Sequence, residues 1–221
     1  IIVKEDNKEI DTDFILISVG TKPKDLPFLK FDHKRILSSD DILNIGKLPE
    51  NLLIVGGGVI GCEFASALNS LGVKITIAEI LDRLVFMFDK DISIKLEQVF
   101  RKLGIVVNTK CDVKSQDLNA SEKILLSVGR RLDLEDLVDS NLGIELENGY
   151  IKVDKNLRTD LENIYAAGDC IGGLQLAHVA SFEAKIAVHN IFLGQKDVDY
   201  AVVPSSVFTY PELAQVGINE E

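Results

Sequence analysis

The 221-residue sequence predicts an α/β fold that contains one half of a doubly wound, nucleotide-binding domain. Three observations lead to this prediction. An apolar strand runs directly into a glycine cluster, patterns typical of helices and strands alternate after it, and further glycines end the helices. The composition, 46% hydrophobic and 27% charged, is that of an ordinary globular protein.

Charge and hydropathy argue against several classes of function. The chain has a formal net charge of −11, and its bases form no stripe that could neutralise phosphates, so we expect no nucleic acid partner. No apolar run reaches the roughly 20 residues that cross a bilayer, so we expect no membrane partner and a cytoplasmic protein. Because the chain opens in what looks like mid-strand and its only methionine is Met87, we expect it to be a piece of a longer protein.

The N-terminal residues predict two strands around a polar turn at Glu5 to Lys8. The second strand, Phe14 to Val19, is apolar enough for a buried parallel strand, and Gly20 ends it. Prolines between Thr21 and Pro49 argue against long regular elements there. One short helix is expected near Ser39 to Asn44, started by a Ser or Asp cap.

The middle of the chain has the most regular pattern, in the order βαβαβ. Apolar residues recur at helical spacing, as in Phe64, Leu68 and Leu71, and Gly72 then ends that helix. Connections of this kind build a parallel sheet with helices on its faces. The predicted elements are the strand Leu52 to Val55, the helix that follows the glycine cluster, the strand Val73 to Ala78, the helix Asp91 to Leu103 with Leu103 on its inward face, and the strand Ile105 to Val107.

The pattern after residue 108 is weaker but still predicts strands and one long helix. In that helix we expect Val179, Phe182, Ile186 and Leu193 to face inward. A last strand is expected to begin near Val202. The predicted elements are the strand Lys123 to Val128 ended by Gly129, the polar loop Arg130 to Asn141, the strands Tyr150 to Val153 and Ile164 to Ala167, and the helix Ala177 to Leu193.

The glycine cluster fits the dinucleotide-binding pattern G-x-G-x-x-G in the required strand-to-helix context. Gly56 permits the tight turn, Gly58 lets the backbone approach a diphosphate, and Gly61 lets the helix pack closely on the strand. The diphosphate would then meet the unpaired amides at the helix start. The alternative is an ordinary glycine-rich turn. The full candidate loop is Gly56, Gly57, Gly58, Val59, Ile60 and Gly61.

Glu79 ends the second strand, where the same pattern expects an acid that binds the hydroxyls of the adenosine ribose. A carboxylate accepts hydrogen bonds from a 2′-hydroxyl but repels a 2′-phosphate, so the residue favours NAD over NADP. Two alternatives remain open: Glu79 is a solvated strand-end acid, or Arg83 tolerates the phosphate.

Other candidate residues carry less information. Gly168-Asp169 ends an apolar strand and could bind sugar hydroxyls, although an aspartate that caps a turn explains the pair equally well. His178 lies at a helix start, where a capping role competes with a functional one. The spacing of Cys62, Cys111 and Cys170 matches neither a disulfide framework nor a metal knuckle, so we expect free thiols and no metal site.

Several segments are more specific than these spacing arguments. They are Leu53 to Ala65 (LIVGGGVIGCEFA), Glu79, Ser127 to Arg131 (SVGRR), Asn163 to Cys170 (NIYAAGDC), Leu174 to Ala180 (LQLAHVA) and Val207 to Gly217 (VFTYPELAQVG). Taken together, in this order and along nearly the whole chain, they resemble the dihydrolipoamide dehydrogenases, a family of flavoprotein disulfide reductases.

The resemblance implies a Rossmann-like NAD-binding domain inserted in an FAD-binding domain, both three-layer, followed by the start of an α+β dimerisation domain. The expected parts are a truncated first FAD part at 1–45, the NAD domain at 46–130, the second FAD part at 131–198 and the start of the dimerisation domain at 199–221. Between Thr109 and Lys123 the chain is too short for the three-stranded meander usual in the family.

The resemblance also implies contacts with both cofactors, FAD and NAD. Asp169 would hold the ribityl chain of the flavin, and Glu63 would pair with a lysine outside this chain. The start of the helix near Gln175 to His178 would approach the flavin ring, and the positive end of the helix dipole would favour the reduced, anionic form of that ring. The further contact residues implied are Ser18, Val19, Gly20, Gly129, Gly168, Gln175, Leu176, Ala177 and His178.

The implied activity is FAD-dependent oxidation of dihydrolipoamide with NAD as acceptor, in a homodimer that serves the lipoyl domain of a 2-oxo acid dehydrogenase complex or of the glycine cleavage system. The redox cysteine pair of the family lies outside these residues, so the chain contains no implied catalytic residue and is expected to be inactive alone. The alternatives are another NAD(P)H-dependent flavoprotein disulfide reductase, an NADH oxidase, or a non-catalytic nucleotide-binding module.

Overall fold

The computed structural model describes residues 1–3, 7–135 and 142–218. The strands are β1 Ile2–Val3, β2 Lys8–Glu9, β3 Ile15–Ile17, β4 Lys22–Pro23, β5 Ile36–Leu37, β6 Asn51–Val55, β7 Lys74–Ala78, β8 Val106–Asn108, β9 Lys123–Leu126, β10 Arg130–Arg131, β11 Leu146–Glu147, β12 Tyr150–Ile151, β13 Ile164–Ala166, β14 Ser205–Val207 and β15 Leu213–Gln215. The α-helices are α1 Ser39–Leu43, α2 Val59–Ser70, α3 Lys90–Lys102 and α4 Ala177–Phe192. Short 3-10 turns lie at Val113–Ser115, Leu118–Ala120 and Asp169–Ile171.

The chain divides into two compact units. The first consists of Ile1–Lys22 and Arg131–Tyr200, and the second of Pro23–Arg130 and Ala201–Glu221. This division differs from the expected domain boundaries at residues 23–45 and 201–221. Residues 23–45 belong to the second unit because β5 extends the same sheet as β9, and the C-terminal segment belongs there because Val207 and Leu213 join the hydrophobic core of that unit.

The second unit is built on a five-stranded parallel sheet with the order β5-β9-β6-β7-β8. Side chains alternate between its faces, as the strand geometry requires. On one face, Ile54 and Ile77 pack with residues of α2 and α3 such as Ala65 and Phe100. The sheet with its βαβαβ order confirms the predicted α/β class.

The opposite face of this sheet is covered differently from the expected helical layer. Leu53, Leu126 and Ala78 pack there against Leu29 and Val113, which belong to irregular segments before β5 and after β8. The segment between β8 and β9, where the chain is too short for a meander, forms the two 3-10 turns at Val113–Ser115 and Leu118–Ala120.

In the first unit, β3 and β13 form a parallel pair with Ile15 opposite Ile164. Ile17, Ile164 and Cys170 are buried in one cluster, and Ile186 of α4 belongs to a second cluster with Leu157 and Tyr165. This arrangement places the carboxyl ends of β3 and β13 side by side, directly before Ser18 and Ala167.

Several sequence predictions were wrong in detail. The hairpin partner of β1 is Lys8–Glu9 rather than the later apolar strand, which is shorter than expected, and Phe14 and Val19 at its flanks are exposed. The strand expected near Val202 begins at Ser205, and it is not the last one, because β15 follows at Leu213–Gln215. The predicted turn Glu5 to Lys8 and loop Arg130 to Asn141 lie partly outside the described residues.

The hydrophobic pattern also misplaced some helix faces. Leu193 is 75% exposed and Phe182 is 38% exposed, whereas the buried face of α4 includes Glu183 and Ala187. A charged and a small residue therefore occupy positions that a search for large apolar side chains overlooks. Leu103 is exposed because it is the C-cap residue of its helix, where the side chain leaves the buried face.

Candidate functional site

The glycine loop joins β6 to α2, and the backbone packs so closely around Gly56 and Gly61 that a side chain at either position would clash with it. Gly56 has φ of 105°, and a Cβ there would lie 2.4 Å from the backbone oxygen of Ser127. A Cβ on Gly61 would lie 2.0 Å from the backbone oxygen of Gly56. The Ser127 hydroxyl lies 3.0 and 2.9 Å from the carbonyl oxygens of Val55 and Gly56, shares its single proton between them, and so fixes the turn.

Gly58 is packed differently, because a Cβ built there would meet no described atom within 4 Å. It is the N-cap residue of α2, and no side chain caps this helix end. The amides of the first helical turn thus face a space that a larger residue would fill. This combination, an open approach and uncapped amides, is what a phosphate group requires.

Glu79 follows β7 and is bound to the glycine loop. Its side chain is buried, with 7% exposure. One carboxylate oxygen accepts a hydrogen bond from the amide of Gly57, and the other accepts one from the amide of Leu81 at 2.7 Å. A carboxylate has about four acceptor positions, so it can still accept from ribose hydroxyls. The structure thus argues against a solvated strand-end acid, one of the alternatives left open by the sequence.

Arg83, the residue that could tolerate a 2′-phosphate, makes its described contacts with Phe86. Its guanidinium carbon lies 4.4 Å from the centroid of that ring, and its Nη2 donates to the Phe86 carbonyl at 3.2 Å. These contacts hold the guanidinium beside its own loop.

A cavity of about 550 Å³ lies at the carboxyl ends of the parallel strands. Four of the candidate cofactor-contact residues, Gly56, Gly58, Glu79 and Gly129, lie together in its wall. Sequence reasoning missed the rest of the wall. The additional residues are Leu26, Phe28, Val55, Ala78, Ile80, Leu81, Cys111, Asp112, Val113, Lys114, Ser127 and Val128.

Other predicted residues of the loop lie beside the cavity rather than in its wall. Gly57 turns its amide to Glu79, and Val59, Ile60 and Gly61 form the first turn of α2. Glu63, expected to pair with a lysine outside this chain, accepts a hydrogen bond from the amide of Phe208 at 2.9 Å. Within the described residues, Glu63 thus anchors the C-terminal segment to α2.

A second group of predicted residues lies at the carboxyl ends of β3 and β13 in the first unit. The hydroxyl of Thr21 donates to the Asp169 carboxylate at 3.2 Å, and the hydroxyl of Ser18 donates to the Ala167 carbonyl at 3.2 Å. Gly168 and Gly20 have φ of 81° and 68°, which favours glycine at both turns. The acid thus lies on a turn that glycines and hydroxyls define.

The start of α4 lies close to the same turn. Leu176 is the N-cap, no side chain caps the helix, and Ala177 and His178 form its first turn. Gln175 has φ of 49° and donates from Nε2 to the Asp169 carbonyl at 3.5 Å. Uncapped amides beside a half-buried carboxylate fit a polar, partly anionic group such as a flavin with its ribityl chain.

Glu183, which sequence reasoning did not single out, supports the Asp169 turn from α4. It is 3% exposed, and its carboxylate accepts from the amide of Gly168 and from the hydroxyl of Tyr200, both at 2.7 Å. Burial and the adjacent Glu183 carboxylate raise the pKa of the Tyr200 hydroxyl above its ordinary value. In the sequence, the one feature that indicates a special role for Glu183 is its position as an acid on the apolar face of a predicted helix.

All three cysteines are free thiols, as predicted. Cys62 and Cys170 are buried, and burial is the main cause that raises the pKa of both thiols. The charges of Glu79 and Glu63 raise the pKa of Cys62 further. These two thiols are therefore poor nucleophiles at neutral pH.

Comparisons with known proteins agree with this geometry. A family model described as pyridine nucleotide-disulphide oxidoreductase matches residues 2–184. Dihydrolipoyl dehydrogenase from Bacillus subtilis (strain 168) is 39% identical over 237 residues, covering 98% of this chain and 50% of that protein. Dihydrolipoyl dehydrogenase from Chlamydia pneumoniae is 37% identical over 232 residues, covering 99% of this chain and 50% of that protein. The chain thus spans about half the length of the curated relatives it matches.

Solved structures show the same similarity. The HOCl-induced flavoprotein disulfide reductase RclA from Escherichia coli matches with a TM-score of 0.85 and 29% identity, over 97% of this chain and 53% of that chain. LpdA from Mycobacterium tuberculosis matches with a TM-score of 0.82 and 31% identity, over 93% of this chain and 48% of that chain. Among the described residues, the structure contains no helix with the length and hydropathy of a membrane span.

Proposed function

The chain belongs to the pyridine nucleotide-disulphide oxidoreductase family, and from this premise we propose that it is the nucleotide-binding part of a dihydrolipoyl dehydrogenase. Proteins of this family use FAD and NAD(H). In the proposed reaction, dihydrolipoamide loses two electrons and two protons and becomes the cyclic disulfide, while NAD takes up two electrons and one proton and the second proton goes to solvent.

The observation that carries this proposal is the cavity at the carboxyl end of the second unit's sheet. Gly58 opens the approach to the uncapped amides of α2, and Glu79 lies in the same wall. Amides at a helix start would bind the diphosphate of NAD, and the Glu79 carboxylate would accept hydrogen bonds from the ribose hydroxyls. Gly56 and Gly61 keep the loop close enough to α2 for both contacts.

Glu79 supports NAD rather than NADP as the partner of this site. Two unit charges about 4 Å apart interact by about 4 kcal/mol at an effective dielectric near 20, so a 2′-phosphate beside this carboxylate would be disfavoured strongly. The two backbone amides bound to Glu79 hold the carboxylate in place, so it cannot easily turn away from a phosphate.

The first unit supplies the proposed flavin contacts. Asp169 would bind ribityl hydroxyls, and the uncapped start of α4 at Ala177 and His178 would place positive partial charge beside the flavin ring. Ser18, Val19, Gly20, Gly168, Gln175 and Leu176 complete this proposed set. The flavin, when bound, supplies the chemistry that passes electrons between a thiol pair and a nicotinamide.

The proposal extends to the whole protein in its assembly: a cytoplasmic homodimer that acts on the lipoyl domain of a 2-oxo acid dehydrogenase complex or of the glycine cleavage system. Residues 199–221 would begin its dimerisation domain. The relatives named dihydrolipoyl dehydrogenase support this extension.

The second candidate is another flavoprotein disulfide reductase on the same scaffold, which the similarity to RclA favours. An assay of the full-length natural protein separates the two candidates. We expect NADH formation from NAD and dihydrolipoamide, and much slower NADH oxidation with oxygen or with the disulfide of coenzyme A. Rapid NADH consumption with either of those acceptors, without dihydrolipoamide turnover, would refute the dihydrolipoyl dehydrogenase proposal.

A further inference from the structure

The outer wall of the nucleotide cavity carries an aromatic ring on a rigid turn. Phe28 lies in the turn from Leu26 to Leu29, whose backbones exchange two hydrogen bonds of 3.2 and 3.1 Å. Leu29 is buried, and an ion pair of 3.0 Å between Lys30 and Asp25 brackets the turn. Phe28 itself is 50% exposed and lines the cavity, so the residue is accessible to a ligand.

Lys114 meets this ring from a distant part of the sequence. Its Nζ lies 4.6 Å from the centroid of Phe28, a distance typical of a cation–π contact. Asp112 caps the 3-10 turn by accepting a hydrogen bond from the Lys114 amide at 2.9 Å. Val113 in the same turn is buried against the sheet, so the backbone that carries Lys114 is fixed.

The order of the strands indicates which part of a dinucleotide reaches this wall. The glycine loop follows β6, Glu79 follows the adjacent β7, and Cys111 to Lys114 follow β8 beyond it. A dinucleotide with its diphosphate at the glycine loop and its adenosine ribose at Glu79 therefore directs its adenine base toward the segment after β8. Phe28 is brought to that end of the cavity by its contact with Lys114.

Resting on the nucleotide site proposed above, we propose that Phe28 recognises adenine by stacking, with Lys114 as the positioning residue that holds the ring. An aromatic ring has two flat faces, so a base can stack on one face while the Lys114 ammonium stays over the other and holds the ring. Among the described residues that line the cavity, Phe28 is the aromatic one and Lys114 the basic one.

Calorimetric titration of the 221-residue chain with NADH and with ADP-ribose tests this assignment. We expect Phe28→Leu to weaken both ligands about fivefold or more, and Phe28→Tyr, which keeps the ring, to recover most of the loss. Lys114→Met is expected to weaken binding by about twofold to threefold, with recovery in Lys114→Arg. Phe208→Leu, an exposed aromatic residue of the same unit outside the cavity wall, is the matched control and should leave binding unchanged.

Proton NMR provides a readout that a merely structural role would not change. Stacking on Phe28 would shift the adenine H2 and H8 signals of bound ADP-ribose upfield through the ring current, and Phe28→Leu should remove this shift. Equal affinity of wild type and Phe28→Leu, or an unchanged shift in that variant, would overturn the assignment while leaving the nucleotide site intact. If the wild-type chain binds neither ligand, the nucleotide site proposed above fails instead.

Discussion

Alanine substitutions at Gly58 and Gly61 can separate the two roles that the loop geometry gives to these glycines, the open approach for a ligand at Gly58 and close packing at Gly61. A Cβ on Gly61 would lie 2.0 Å from the Gly56 carbonyl oxygen and 2.7 Å from the Ser127 hydroxyl. Backbone must move to relieve such a contact, and overpacking of this kind costs about 3 kcal/mol. A Cβ on Gly58 meets no described atom within 4 Å, so Gly58→Ala should cost only the loss of a favoured N-cap residue, about 1 kcal/mol or less.

These costs predict different melting temperatures and different affinities. At about 2–4 °C per kcal/mol for a chain of this size, Gly61→Ala should lower Tm by about 6–12 °C and Gly58→Ala by about 4 °C or less. Gly58→Ala should nevertheless weaken NADH binding about tenfold or more, or 1.4 kcal/mol, because the methyl group occupies the approach to the α2 amides.

Differential scanning calorimetry and calorimetric NADH titration measure both effects on the same samples. Gly46→Ala is the matched control, since a Cβ at Gly46 also meets nothing within 4 Å and the residue does not line the cavity. Normal NADH affinity in Gly58→Ala, or a Gly61→Ala protein as stable as Gly46→Ala, would refute the reasoning about this loop.

Three further predictions concern charge and pH. Glu79→Ala should narrow the ratio of NADPH to NADH dissociation constants by about fivefold or more, because it removes the repulsion of the 2′-phosphate; an unchanged ratio in parallel titrations would contradict this. Because the pKa of Tyr200 is raised, this hydroxyl stabilises the fold fully below about pH 10, the ordinary pKa of tyrosine, and the stabilisation is lost as the pH rises toward the folded-state pKa. In urea unfolding, the free energy of unfolding should therefore fall less between about pH 9 and 11 in Tyr200→Phe than in the wild type. The amides of Ile36, Lys34 and Arg35 lower the pKa of Asp32, so this carboxylate stabilises the fold above about pH 3.8 and the stabilisation is lost as the pH falls through the folded-state pKa. In the same assay, the free energy of unfolding of Asp32→Asn should therefore fall less steeply at acid pH than that of the wild type.

Much of the second unit could be predicted because its chemistry is local in the sequence. The glycine cluster, the apolar strand before it and Glu79 after the next strand are separated by short, regular elements, and the family resemblance agreed with that order. The family assignment and the α/β class were accordingly confirmed. The domain boundaries and the cofactor contacts stay predictions.

The residues that were missed depend on contacts between distant segments. Phe28 and Lys114 meet through irregular segments that carry no periodicity, although the rule that ligands bind beyond the carboxyl ends of parallel strands could have drawn attention to the residues after β8. Glu183 was missed for another reason, because its burial is offset by hydrogen bonds to Gly168 and Tyr200 that the sequence does not reveal.

The most direct test of the central claim, that this chain holds a nucleotide site selective for NAD, is calorimetric titration of the 221-residue chain with NADH and NADPH under one set of conditions. We predict one NADH site per chain and binding of NADPH that is weaker by about tenfold or more, equivalent to about 1.4 kcal/mol. Equal affinities, or no saturable binding of NADH, would contradict the account.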